Sequence, residues 1–136
     1  MRGAGLCAIA VFAGIPAFCA PQKHFAAEAI QLNNRGVALM GQQFTERAAE
    51  SFAEAFKKDP TLAQAAVNEG IALLSEQKLD QAKEWFQKAI AVDPKNPQEW
   101  YNLGLTQHGG NELADALASF QQAVKLDPRD AVSLGY

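Results

Sequence analysis

Glu46, Glu50 and Glu54 recur every four residues, the separation that places carboxylates on one helix face and that a general acid and base could use. They run on toward Lys57 and Lys58, however, and a mixed charged stripe of this kind reads as a solvated helix face. The other reactive side chains are sparse: two histidines, His24 and His108, and two cysteines, Cys7 and Cys19. Too few soft or imidazole ligands exist to build a multi-ligand metal site within one chain. Nor does any Gly-rich phosphate loop, nucleophile elbow or metal-binding His/Cys spacing occur. His108 stands at the end of a predicted helix before Gly109 and Gly110, a surface or ligand-groove position, and His24 lies near the start of the expected mature chain. The expectation is a protein with no catalytic residue, no metal and no cofactor. The 12 basic residues against 15 acidic ones, a net charge of -3, argue against nucleic acid as a partner. At 136 residues and 49% hydrophobic, the chain suits one small domain folded around a core.

The elements that position these residues follow from a repeat. Asp59-Pro60, Asp93-Pro94 and Asp127-Pro128 lie 34 residues apart, and the segments between them superpose without a gap. Further columns are identical in all three copies: Asn34/Asn68/Asn102, Gly36/Gly70/Gly104, Ala48/Ala82/Ala116, Phe52/Phe86/Phe120 and Ala55/Ala89/Ala123. Apolar residues recur at spacings of three and four, which predicts two helices per copy. Breakers are expected at Gly41, at Lys78-Leu79-Asp80 and at Gly109-Gly110-Asn111, with proline ending each copy. The glycine in the middle of each first helix costs about 1 kcal/mol of helix propensity. That is tolerable if it lets the second helix approach closely, with the phenylalanine as the knob that fills the contact.

This pattern resembles the tetratricopeptide repeat, whose signature is W-x2-L-G-x2-Y, A-x3-F and P in about 34 residues. The third copy carries Trp100, Leu103, Gly104, Ala116, Phe120 and Pro128; the second has Gly70, Ala82, Phe86 and Pro94; the first has Gly36, Ala48, Phe52 and Pro60. Departures fall at the large positions, with Leu32, Arg35 and Leu39 in the first copy, Ala66, Glu69 and Leu73 in the second, and Gln107 for Tyr in the third. The resemblance implies an all-α solenoid of stacked antiparallel helix pairs in a right-handed superhelix, with repeats at 29–62, 63–96 and 97–130.

It also implies a concave face presented by the first helix of each repeat through its second, fifth, ninth and twelfth positions. Carried over residue by residue, these are Ile30, Asn33, Val37 and Met40; Gln64, Val67, Ile71 and Leu74; Gln98, Tyr101, Leu105 and His108. The family's clamp for a peptide C-terminal carboxylate uses Lys, Asn and Arg here. Only Asn68 matches it, since Asn33 stands where a Lys is wanted, Val37 where an Asn is, and Gln98 and Asn102 replace two further cations. The expected site is instead an apolar, uncharged groove for a helix or extended segment, with Asn34, Asn68 and Asn102 available to hydrogen-bond its backbone. Its occupant is a partner protein or peptide, or the chain's own residues 20–28 or a second copy.

The ends are made differently. Arg2 followed by an apolar run to Ile15, Pro16 and the small residues Ala17, Cys19 and Ala20 has the layout of a secretory signal peptide at 1–19, cut between Cys19 and Ala20. An uncleaved membrane anchor over residues 3–20 is the alternative, and either places the protein outside the cytoplasm, periplasmic or secreted if cleaved. Residues 20–28 form a linker or the start of the first helix. Residues 131–136 begin a fourth first-helix, so no capping helix covers the third repeat, and self-association through that open end is expected, by way of Leu117 and Val124. The function so read is protein binding rather than catalysis. The alternative is an N-terminal piece of a larger exported enzyme or assembly protein.

Overall fold

The structure, a computed structural model, describes residues 24–129. The expected signal peptide, the first residues of the linker and the start of a fourth repeat lie outside the described residues. Six helices follow one another: α1 (Ala27–Gly41), α2 (Thr45–Lys58), α3 (Ala63–Ser75), α4 (Leu79–Val92), α5 (Pro97–Gly109) and α6 (Leu113–Leu126). Each packs chiefly on the next, as α1 with α2, α3 with α4 and α5 with α6, and the pairs stack through α2 with α3 and α4 with α5. The fold is an all-α helical repeat, and no strand occurs among the described residues.

The glycine and phenylalanine columns make the contact within each pair. A Cβ built on Gly70 would lie 2.7 Å from the Phe86 ring, one on Gly104 would lie 2.7 Å from Phe120, and one on Gly36 would run into Phe52. Phe52 and Phe86 are sealed in the core, while Phe120 is half-buried because no further helix pair covers it among the described residues. The alanines Ala48, Ala55, Ala82, Ala89, Ala116 and Ala123 are all buried, which lets the helices approach. Between repeats, Phe56 meets Trp85 edge-on at 5.6 Å, and the Lys88 ammonium sits 3.8 Å over the Trp85 ring.

The helix ends correct one expectation. The turn of the second repeat is Glu76 to Lys78; Leu79 and Asp80 already belong to α4. What breaks the chain is a single left-handed residue in the same column of every repeat: Gln43 (φ 62°), Gln77 (φ 59°) and Asn111 (φ 62°). Two of the three are glutamines, which carry no turn signal of their own, so the sequence hides the step. The Asp-Pro column behaves as expected. Asp59 is extended (φ -142°, ψ 94°), as a residue before proline must be, and its Oδ1 accepts from the Thr61 amide at 3.0 Å to hold the bend. Its other oxygen accepts from the Ala26 amide at 2.8 Å, tying the start of the first helix to the end of the second. These bonds, first that from the Thr61 hydroxyl, hold the Asp59 carboxyl below the usual range. Asn96 caps α5 by accepting from the Gln98 amide at 3.1 Å, with Pro97 in the first turn.

Candidate functional site

The first helices α1, α3 and α5 carry the columns in which the groove was expected. Along their centre Val37, Ile71 and Leu105 stand 53, 41 and 40% exposed, joined by the exposed Ile30. No lysine, arginine, aspartate or glutamate stands among Ile30, Asn33, Asn34, Val37, Met40 and their equivalents in the other two repeats. The row is therefore apolar and neutral, with His108 at its far end, exposed and the only titratable imidazole on it.

Beside this row runs a set of amides. Gln64 Nε2 donates to Asn68 Oδ1 at 2.9 Å, and Asn68 Nδ2 donates to Asn33 Oδ1 at 2.8 Å, so one chain of three side chains crosses from the second repeat to the first. In the third repeat Gln98 Nε2 donates to Asn102 Oδ1 at 3.3 Å. There the chain stops, because Val67 occupies the place of Asn33. Asn68 is thus engaged within the protein rather than held ready for a ligand, whereas Asn34 and Asn102 make no side-chain donation among the described residues.

Three of the expected lining residues sit deeper than the sequence suggests. Val67 is only 6% exposed and belongs to the central apolar cluster with Ala66, Leu73, Ala82, Phe86, Ala89 and Leu103. Leu74 packs on that cluster and Met40 on the one formed by Ala48, Ala49, Phe52 and Ala72. Val67 is core, not groove. Tyr101 is half-buried, its ring 5.6 Å from that of Phe120, and Gln64 and Gln98 remain exposed.

Two carboxylates that the motifs do not single out are buried beneath these helices. Glu69 and Glu99 are almost fully buried, and one oxygen of each has no hydrogen-bond partner. Burial, and next the nearby Glu76, pushes the Glu69 carboxyl up to about 7 against the pull of Lys88 and Lys78. Burial, and next Asp93, pushes Glu99 up to about 7 against a hydrogen bond from Asn96. The signal was in the columns: Glu69 aligns with Leu103, and Glu99 with Ala65, both buried positions. Glu46, Glu50 and Glu54 by contrast lie on the solvent face of α2.

Two open clefts lie away from the groove, at the repeat junctions. One of about 460 Å³ is bordered by Lys78, Lys83, Thr106 and Glu112, the other of about 350 Å³ by Phe44, Arg47 and Glu76. Among the described residues no cluster of His, Cys, Asp and Glu could hold a metal ion. No described helix is long and apolar enough to cross a membrane.

A family model described as Tetratricopeptide repeat matches residues 33–97 and again 67–131. No curated protein sequence matches the chain. Among solved structures, the second TPR of Spaghetti (RPAP3) bound to the HSP90 peptide SRMEEVD is 24% identical, with a TM-score of 0.71 over 74% of this chain and 94% of that one. The second TPR domain of human RPAP3 in complex with an HSP70 peptide is 25% identical, with a TM-score of 0.72 over 74% and 84%. MamA 41-end from Desulfovibrio magneticus RS-1 is 28% identical, with a TM-score of 0.67 over 74% and 56%.

Proposed function

Because the chain belongs to the tetratricopeptide repeat family, we propose that it is a protein-binding module. It takes a partner segment along the face of α1, α3 and α5. The observation that carries this reading is the exposed apolar column Val37, Ile71 and Leu105, which lies beside the side-chain N–H groups of Asn34 and Asn102, neither of which donates a hydrogen bond among the described residues, and has no charge in the groove columns. Exposed apolar side chains aligned on one face mark an interface. The similar RPAP3 domains bind HSP90 and HSP70 peptides, which supports a peptide as the class of ligand. The neutral groove favours a different peptide chemistry here: a helix or strand presenting apolar side chains at regular spacing, its backbone or side-chain carbonyls accepting from the asparagines. A binding role rather than a catalytic one accords with the family's fold.

We place this activity outside the cytoplasm, on the strength of Arg2, the apolar run to Ile15 and the small residues Ala17 and Cys19. N-terminal sequencing of the exported product beginning at Ala20 supports the export step; recovery of Met1 counts against cleavage.

The binding reading is tested by affinity capture from the exported fraction with the wild-type chain and an Ile71→Glu/Leu105→Glu variant. Both side chains are exposed, so the fold survives their replacement. A partner bound by the wild type and lost in the variant is expected; the same capture by both overturns the groove.

A further inference from the structure

Three successive first helices each hold one exposed apolar side chain in the same column: Val37 on α1, Ile71 on α3 and Leu105 on α5. α1 and α3 touch directly, and Asn68 of one donates to Asn33 of the other at 2.8 Å. Packed helices lie about 8 to 10 Å apart, so neighbouring members of the row stand about that far from each other.

The amides beside the row are half used. Asn33 Oδ1 accepts from Asn68, Asn68 Oδ1 from Gln64 and Asn102 Oδ1 from Gln98. Their oxygens are engaged by the protein itself, while the side-chain N–H groups of Asn33, Asn34 and Asn102 donate to nothing among the described residues. The face therefore offers donors more than acceptors. A segment lying on it must bring acceptors and no charge, since no lysine, arginine, aspartate or glutamate stands in these columns to pair one.

Backbone geometry separates the segments that could do this. A β-strand sets its same-face side chains about 6.6 Å apart at every second residue and about 13 Å apart at every fourth, on either side of the period of the row. An α-helix comes closer, since seven residues rise about 10.5 Å, but all its carbonyls except the last four are bonded within the helix and few acceptors reach the asparagines. The left-handed, extended polyproline II helix returns to the same edge at every third residue, after about 9.3 Å, and makes no internal hydrogen bond. Its carbonyls are all free, and proline within it removes only N–H groups that a donor-rich face does not need.

We propose that the groove takes an uncharged segment in the polyproline II conformation, with an apolar side chain at every third residue. Three anchors over seven residues lie on Val37, Ile71 and Leu105, and backbone carbonyls between them accept from Asn34 and Asn102. This rests on the binding face of α1, α3 and α5 assigned above and fixes the conformation and spacing of its ligand.

The test is selection from a phage-displayed library of random sixteen-residue peptides on the full chain and, in parallel, on the Ile71→Glu/Leu105→Glu variant. Fluorescence anisotropy of the selected peptides, made synthetically, follows. Peptides enriched on the wild type alone are expected to carry three apolar residues at a constant spacing of three, with no charged residue among the seven. Proline placed between the anchors should change their affinity by about threefold or less, whereas in a bound α-helix it costs on the order of 100-fold. Binders whose apolar residues are spaced by two or seven, or alternate three with four, overturn the polyproline II assignment and leave the groove as a binding face. So do binders that proline abolishes or that ignore Asn102→Ala. Peptides enriched equally on the double variant, or no binder at all, overturn the groove as well.

Discussion

Gly70 and Phe86 occupy one space: a methyl group on the glycine would lie 2.7 Å from the edge of the phenylalanine ring. Phe86 is fully buried, and the contact is repeated by Gly104 with Phe120 and by Gly36 with Phe52. The helix-weakening residue is therefore the condition for seating the phenylalanine ring against the first helix in each repeat.

Gly70→Ala and Gly41→Ala are expected to change stability with opposite signs. Both gain about 0.5 to 1 kcal/mol of helix propensity. At Gly41 nothing opposes that gain, since an added Cβ meets no atom within 4 Å. At Gly70 overpacking against Phe86 costs typically 1 to 3 kcal/mol and reverses it. Urea denaturation of the two variants measures this, and a stabilised Gly70→Ala would contradict the close contact.

The phenylalanine column should show a gradient. Phe86→Ala removes a fully buried ring and is expected to cost about 3 to 5 kcal/mol. Phe120→Ala removes a half-buried one and should cost clearly less, although its sequence surroundings are nearly the same. Equal losses in denaturant titrations would mean that something covers Phe120 in solution.

These contacts were legible in the sequence because the repeat states each one three times, and a glycine in every copy stands a fixed distance before its phenylalanine. The burial of Val67 was not. It shares a column with Asn33 and Tyr101, and neither of those is buried. What draws it inward is the cluster with Phe86 and Leu103, against which Trp100 also packs. Such burial depends on the neighbouring repeat's side chains and not on the column. The left-handed turn residues were hidden for another reason, since Gln43 and Gln77 adopt a conformation that their type does not announce.

Stability should rise as the solution becomes more acidic between pH 8 and pH 5. The carboxyls of Glu69 and Glu99 are raised to about 7 in the folded protein, against 4.5 for an ordinary glutamate. Folded protein therefore binds more protons than unfolded chain between those values, so stability falls as pH climbs through the window. Well above pH 7 each ionised, buried carboxylate costs about 3 kcal/mol, from the rise of its pKa from 4.5 to about 7. Glu69→Gln and Glu99→Gln are expected to stabilise the protein at pH 8, to do little at pH 5, and to flatten the pH profile of urea midpoints. A profile unchanged in both variants would show that these carboxyls are hydrated.

Asn68 and Asn102 share a column but should divide stability from binding. Asn68 is clasped between Gln64 and Asn33, and its 2.8 Å bond to Asn33 ties the second repeat to the first. Asn68→Ala leaves Asn33 without its donor and is expected to cost about 0.5 to 1.5 kcal/mol of stability. A double-mutant cycle with Asn33→Ala should return most of that as coupling, because either change alone breaks the same bond. Asn102 faces Val67, so its amide has no acceptor in the preceding repeat, and Asn102→Ala should leave the urea midpoint nearly unchanged. Its N–H group is the one still available beside Ile71 and Leu105. Loss of that donor is therefore expected to weaken partner binding by about tenfold, one hydrogen bond's worth. Titration calorimetry with the captured partner reads this directly, and an Asn102→Ala variant that binds as tightly as wild type would remove the asparagine column from the site.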